Sequence, residues 1–156
     1  MIKHTVAYSM VEPVHLVRQE HINGNGTLFG GTIMKWIDIA SAFTGKRHCS
    51  GRTTTLMVDN ISFIKPAHLA DLIYMKAFMT YVSTTSFEVK VEMYIEDFDG
   101  SRTLMNTAYV VMVALDENMK PMQVPELVLE TDEQKAEWER GRKRHELRKQ
   151  RRQQQY

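Results

Sequence analysis

Asp38 is the one acidic residue between Glu20 and Asp59, and it stands inside an apolar run from Ile33 to Phe43 (IMKWIDIASAF). A carboxylate on such a helix can take a proton from water and so make a nucleophile. About two helical turns upstream stand Gly30 and Gly31. Glycines at a helix start let a ligand approach the backbone, and the first N–H groups of a helix have no partner within it. Those donors, with the positive end of the helix dipole, suit an oxyanion or a polarised carbonyl oxygen. Carboxylate and glycines together fit the addition of water to a carbonyl group. Asn23 can orient a water or a carbonyl oxygen, and Asn25 competes for that task.

Each feature also has a plainer explanation. Lys35, Asp38 and Ser41 recur at intervals of three and would form a narrow polar stripe, with Lys35 and Asp38 paired on the surface. On periodicity alone this is the commoner case, because structural ion pairs outnumber catalytic carboxylates. A Gly-Gly pair is commonly a tight turn, and Asn before Gly is usually a turn residue. Other chemistries are disfavoured. His21, His48 and His68 show no ligand spacing, so no metal is expected. Cys49 lacks a recognisable base and reads as inert. No Gly-x-Ser-x-Gly elbow, Gly-x-Gly-x-x-Gly turn or P-loop occurs, which argues against serine nucleophiles, dinucleotides and nucleoside triphosphates.

Positioning these groups requires a small set of elements. Pro13–Glu20 reads as a short strand, and Asn23-Gly24-Asn25-Gly26 as a turn. The helix through Asp38 is apolar around most of its wheel and should be mostly buried. Gly45 with Lys46-Arg47-His48 fits its C-terminal end. Strands follow at Thr53–Ile64, Leu72–Val82, Phe87–Ile95 and Arg102–Ala114. In the third of these, Phe87, Val89, Val91, Met93 and Ile95 alternate with Glu88, Lys90, Glu92 and Glu96, giving one buried and one wet face. Short connections favour antiparallel neighbours. One apolar helix covered by one curved antiparallel sheet is an α+β arrangement, the hotdog fold. An exposed edge strand favours dimers through edge pairing.

The 156 residues suit one domain, assigned to residues 1–130, with a basic helical tail at 131–156. The tail carries a net charge of +4 against −3 for the rest. Its run Arg140–Arg152 (RGRKRHELRKQRR) lacks interleaved aromatics, so nucleic acid is not expected as a partner, and a solvated helix frayed at its end is the simpler reading. Nothing is long and apolar enough to cross a bilayer, the first residues lack the layout of a secretory signal, and a lone cysteine suits a reducing compartment. The expectation is a cytoplasmic protein with no membrane partner.

Asn23 to Gly31 with Trp36-Ile37-Asp38 resembles the single-domain acyl-CoA hydrolase family of hotdog proteins. The likeness continues at Lys46–Cys49, Val58–Pro66, Thr84–Glu92 and Lys120–Leu127. The resemblance implies an acyl-CoA thioesterase without cofactor, with Asp38 as the catalytic carboxylate, either general base or nucleophile. It implies that Asn23 works with Asp38 across a dimer, that the backbone at Gly30 and Gly31 polarises the thioester, and that Lys65, Thr84, Thr85 and Ser86 contact CoA. Thr84 stands where some relatives carry arginine, a departure in the phosphate contact. Assembly as a homo-oligomer, a trimer of dimers, is also implied. Two rivals remain: a hotdog dehydratase or hydratase, which would want a histidine near Asp38 on the same helix face where none stands, and an acyl-CoA-binding sensor without turnover. Phe29, Trp36, Phe43 and Phe63 fit core as well as an acyl pocket.

Overall fold

A computed structural model describes residues 2–155; Met1 and Tyr156, the outermost residues of the two segments expected above, lie outside the described residues. The chain runs β1 (Lys3–Thr5), α1 (Val6–Ser9), β2 (Val14–Leu16), a single 3-10 turn (Gln19–His21), α2 (Gly30–Cys49), β3 (Arg52–Phe63), β4 (Leu72–Val82), β5 (Ser86–Glu96), β6 (Arg102–Leu115), β7 (Glu126–Val128) and α3 (Asp132–Gln153). Five strands form one antiparallel sheet in the order β2-β4-β5-β6-β3, and β1 pairs with β7 in a separate parallel ribbon. The sheet curls around α2, which is the expected hotdog arrangement.

The two-residue period builds the core. Phe87, Val89, Val91 and Met93 of β5 and Ala108, Val110, Met112 and Ala114 of β6 are buried in one cluster with Ile33, Ile37 and Ala40 of α2. Close approach of helix to sheet depends on Gly45, where an added Cβ would lie 2.7 Å from Phe87 Cζ. Gly45 therefore does not mark the helix end, as its sequence context suggests. The helix runs on to Cys49 and is capped by Ser50 in the left-handed conformation, φ 52°. Burial pushes the Cys49 thiol up to about 12, so it stays protonated and unreactive.

Two expectations need correction. First, α2 is not covered all round within one chain: Met34, Ile39 and Phe43 are exposed, and Asp38 lies among them. Its apolar residues outnumber those the curled sheet can reach. Second, α3 is not a solvated tail. It lies on the outer face of the sheet, and that face of β5 is not wet at Glu88, which is fully buried. Helix propensity located α3, but its docking surface is ionic and leaves no apolar stripe to read. Arg144 donates to Glu88 through Nη2 (2.7 Å) and Nε (3.0 Å), and its Nη2 also reaches Glu137 (3.0 Å). Arg148 bridges Glu88 (3.1 Å) and Asp59 (2.9 Å), and Thr80 Oγ1 donates to Glu88 at 2.6 Å. Trp138 packs at a tilt against Tyr81, ring centroids 4.7 Å apart, whereas Leu147, the other expected anchor, is exposed.

Candidate active site

Asp38 sits near the middle of α2, on the side facing edge strand β3. Thr55 of β3 pairs with Met112 of β6, whose side chain is buried beneath the sheet, so Thr55 points the same way, towards α2. Its hydroxyl donates to Asp38 Oδ1 at 2.6 Å. The ladder then slips, leaving Leu56 unpaired as a bulge before Met57 rejoins opposite Val111. Asp38 forms no ion pair with Lys35, and Ser41 is fully buried with its hydroxyl turned to Ile37 O (2.8 Å), so the polar stripe is not formed. A carboxylate with one oxygen anchored and the other free, on an open apolar face, is arranged to accept a proton from water. Thr55 had no sequence signal. It lies in a Thr53-Thr54-Thr55 run that reads only as strand propensity.

The helix start forms a second locus. Phe29 at the N-cap offers no side-chain oxygen, and Ile33 N is the first amide to bond back, to Phe29 O at 3.1 Å. The amides of Gly30 and Gly31 consequently have no helical acceptor. Gly30 lines a cavity of about 300 Å³ together with Lys65, Phe63 and Met105. Beside it, Asn23 closes its own turn: Oδ1 accepts from Asn25 N (2.9 Å) and Thr27 N (3.1 Å), while Nδ2 donates to Thr27 Oγ1 (2.9 Å). One Nδ2 hydrogen is left over, since a carboxamide carries two.

Not all the expected residues meet within one chain. Eight helical residues separate Gly30 from Asp38, roughly 12 Å at 1.5 Å per residue. Lys65 stands apart from the other residues expected to contact CoA. Its amide bonds to Met105 O, whereas Ser86 pairs with Val113, eight residues along the same strand and roughly 27 Å away. Thr85 and Ser86 instead line a cleft of about 540 Å³ on the outer face of the sheet. Thr84 uses its carbonyl to accept from Val124 N at 2.9 Å. Among the described residues no group of His, Cys, Asp and Glu is placed to hold a metal ion, and no helix is long and apolar enough to cross a membrane.

The model of the Thioesterase superfamily matches residues 25–99. The chain is 38% identical over 133 residues to an uncharacterized acyl-CoA thioester hydrolase, YkhA, of Bacillus subtilis, covering 79% of this chain and 77% of that one. It is 32% identical to the cytosolic acyl coenzyme A thioester hydrolase of Mus musculus, and there spans only 38% of the relative's length. An acyl-CoA hydrolase from Staphylococcus aureus, solved in complex with butyryl coenzyme A, coenzyme A and coenzyme A disulfide, superposes with TM-score 0.93 at 32% identity over 98% of this chain and 94% of that one. Further structures of that hydrolase carry an aspartate, an asparagine or a threonine changed to alanine, at the same intervals along the chain as Asp38, Asn23 and Thr55 here. An apo-hexameric acyl-CoA thioesterase superposes with TM-score 0.92 at 32% identity, over 97% of each chain. The chain belongs to the acyl-CoA thioester hydrolases of the thioesterase superfamily.

Proposed function

We propose that this protein hydrolyses acyl-CoA to the free acid and CoA, with Asp38 as general base. The carrying observation is the Thr55–Asp38 bond, which leaves the second carboxylate oxygen facing the open side of α2. Water gives a proton to that oxygen as its own oxygen attacks the thioester carbon. The developing oxyanion rests on the free amides at Gly30 and Gly31. Collapse breaks the C–S bond, and the departing thiolate recovers the proton. Asn23 Nδ2–H holds the thioester oxygen or the attacking water. No cofactor takes part.

A site of this kind needs a second copy, because Asp38 is roughly 12 Å from the amides of its own helix start. The exposed Met34, Ile39 and Phe43 and the unpaired edge of β3 are continuous with Asp38. Pairing two β3 edges about a two-fold axis extends the sheet, covers those residues and brings Asp38 of one copy towards Asn23 and Gly30 of the other. Three such dimers would form a hexamer, the assembly of one structural relative. A cytoplasmic setting agrees with a lone, buried free thiol at Cys49.

The test is thiol release from short-, medium- and long-chain acyl-CoAs by wild type and Asp38→Asn. Loss of kcat by roughly 10²–10⁴-fold in the variant is the general-base expectation. Full activity in Asp38→Asn would sink the assignment, and wild-type binding of acyl-CoA without turnover would favour a sensor.

A further inference from the structure

The edge strand β3 is joined to β6 by an interrupted ladder. Its paired residues fall into three runs, 52–55, 57–58 and 61–63. The first break leaves out Leu56, and at the second Asp59 and Asn60 together oppose Tyr109. Asn60 has φ 94°, a conformation that side chains disfavour and that persists only where the surroundings impose it. Breaks this close together leave the middle of an edge strand with little backbone support.

The support comes from behind the sheet. Asp59 turns to the outer face, where it is buried and accepts from Arg148 Nη1 at 2.9 Å, with Arg151 Nη1 3.6 Å from its other oxygen. The same Arg148 nitrogen donates to Glu88 of β5 at 3.1 Å. Glu88 is itself fixed by Thr80 of β4 and by Arg144. Glu88, Val111 and Met57 form one row across β5, β6 and β3. Arg148 therefore spans β6 near Val111, a strut across two strand spacings, roughly 10 Å, from mid-sheet to edge. It lands where the ladder is shortest. The next row is Phe87, Met112 and Thr55, the threonine whose hydroxyl holds Asp38.

We infer that Asp59 is a positioning residue for the hydrolysis: tied to Arg148, it holds β3 at the height where Thr55 reaches Asp38. The outer helix α3 thereby helps to aim the base on the opposite face of the sheet. This rests on the thioesterase reading. The strut acts from the outer face and leaves the free edge of β3 open to a second copy. Docking of α3 does not by itself account for Asp59. Glu88 already binds both Arg144 and Arg148, and a carboxylate buried on an edge strand is costly unless it is paired. Its placement serves the strand.

Kinetics on one acyl-CoA should compare wild type, Asp59→Ala, Asp59→Asn, Thr55→Val and the double variant Asp59→Ala/Thr55→Val. Asp59→Ala leaves Arg148 paired with Glu88, and Arg151 is half exposed to solvent. In this variant kcat is expected to fall roughly tenfold with KM little changed, as for a misaligned reacting group. Asp59→Asn, whose carboxamide oxygen still accepts from Arg148, should restore most of the rate. The double variant should be no slower than Thr55→Val alone, because both changes remove the same constraint. Full activity in Asp59→Ala, a rise in KM with kcat unchanged, or losses that multiply in the double variant overturn the inference. Hydrogen exchange in Asp59→Ala reads strand and helix separately. Faster exchange confined to residues 53–58 supports the strut. Unchanged exchange there, or exchange that speeds up as much in α3, assigns Asp59 to helix docking and overturns it. If wild type hydrolyses no thioester, the hydrolase reading fails separately, and the exchange result still decides whether Asp59 holds β3.

Discussion

Thr55 and Asp38, seventeen residues apart in sequence, meet through a 2.6 Å hydrogen bond that ties the central helix to the free edge of the sheet. The bond fixes the carboxylate's orientation and leaves one oxygen available. It also makes the geometry of the base depend on the strand that the dimer would use.

Thr55→Val keeps the shape and β-branching of the side chain and removes its hydroxyl. Steady-state kinetics should show kcat falling roughly tenfold, with KM little changed, because the base loses its orientation rather than its substrate. Thr55→Ser should restore most of the rate. Equal impairment by both changes would assign Thr55 to packing.

Mixing two inactive variants tests the shared site. Asn23→Ala and Asp38→Asn, each inactive alone, should regain activity when co-refolded, because a mixed dimer holds one site with both residues intact. Activity should approach about a quarter of wild type, since half of randomly paired dimers are mixed and each has one good site of two. No recovery, despite mixed dimers seen by native mass spectrometry, would place both residues in one chain's site.

Arg148 is buried between Glu88 and Asp59, so Arg148→Ala leaves Glu88 with fewer partners and no solvent. Breaking such a pair costs about 3–5 kcal/mol. Limited proteolysis should cut within α3 in the variant while the sheet persists, and denaturant unfolding should report the loss. Gly141→Ala should act in the same direction, because its Cβ would meet Tyr81 Cβ at 2.8 Å.

Acid should loosen α3. Burial alone would raise the Glu137 pKa, but bonds from Arg140 and Arg144 and the charge of Lys90 together hold it below the ordinary 4.5. A carboxyl with a depressed folded-state pKa contributes stability that is fully present above that ordinary value and is lost as pH falls through the folded one. Trp138 emission in a Trp36→Phe background should therefore shift as pH drops below about 4.5. An unchanged spectrum down to global unfolding would show that Glu137 does not govern docking.

Much of the fold was legible because its strands are rich in β-branched and apolar residues between turn signals, and one of them alternates strictly. Leu72–Val82 matches β4 end to end, and the alternation from Phe87 to Ile95 gives the buried face of β5. β1 and β7 went unread because each has three residues, too few to show a period. Glu88 faces outward but is not wet, because an ionic helix covers it, and charge pairing across 56 residues leaves no local pattern. At the site, Asp38 and the glycines carried recognisable chemistry. Thr55 did not, since a threonine in a strand is ordinary until something across the core needs its hydroxyl.

The parallel pairing of β1 with β7 bears on the order in which the molecule assembles. Lys3 meets Glu126 and Thr5 meets Val128, partners about 120 residues apart, whereas β4, β5 and β6 join through short turns. Loop-closure entropy makes such a distant contact form after the local hairpins. Because β7 leads directly into α3, the outer helix settles on the sheet only once this ribbon has closed. Refolding followed by hydrogen exchange should show amides of the β4–β6 meander protected first, and those of β1, β7 and α3 gaining protection together afterwards.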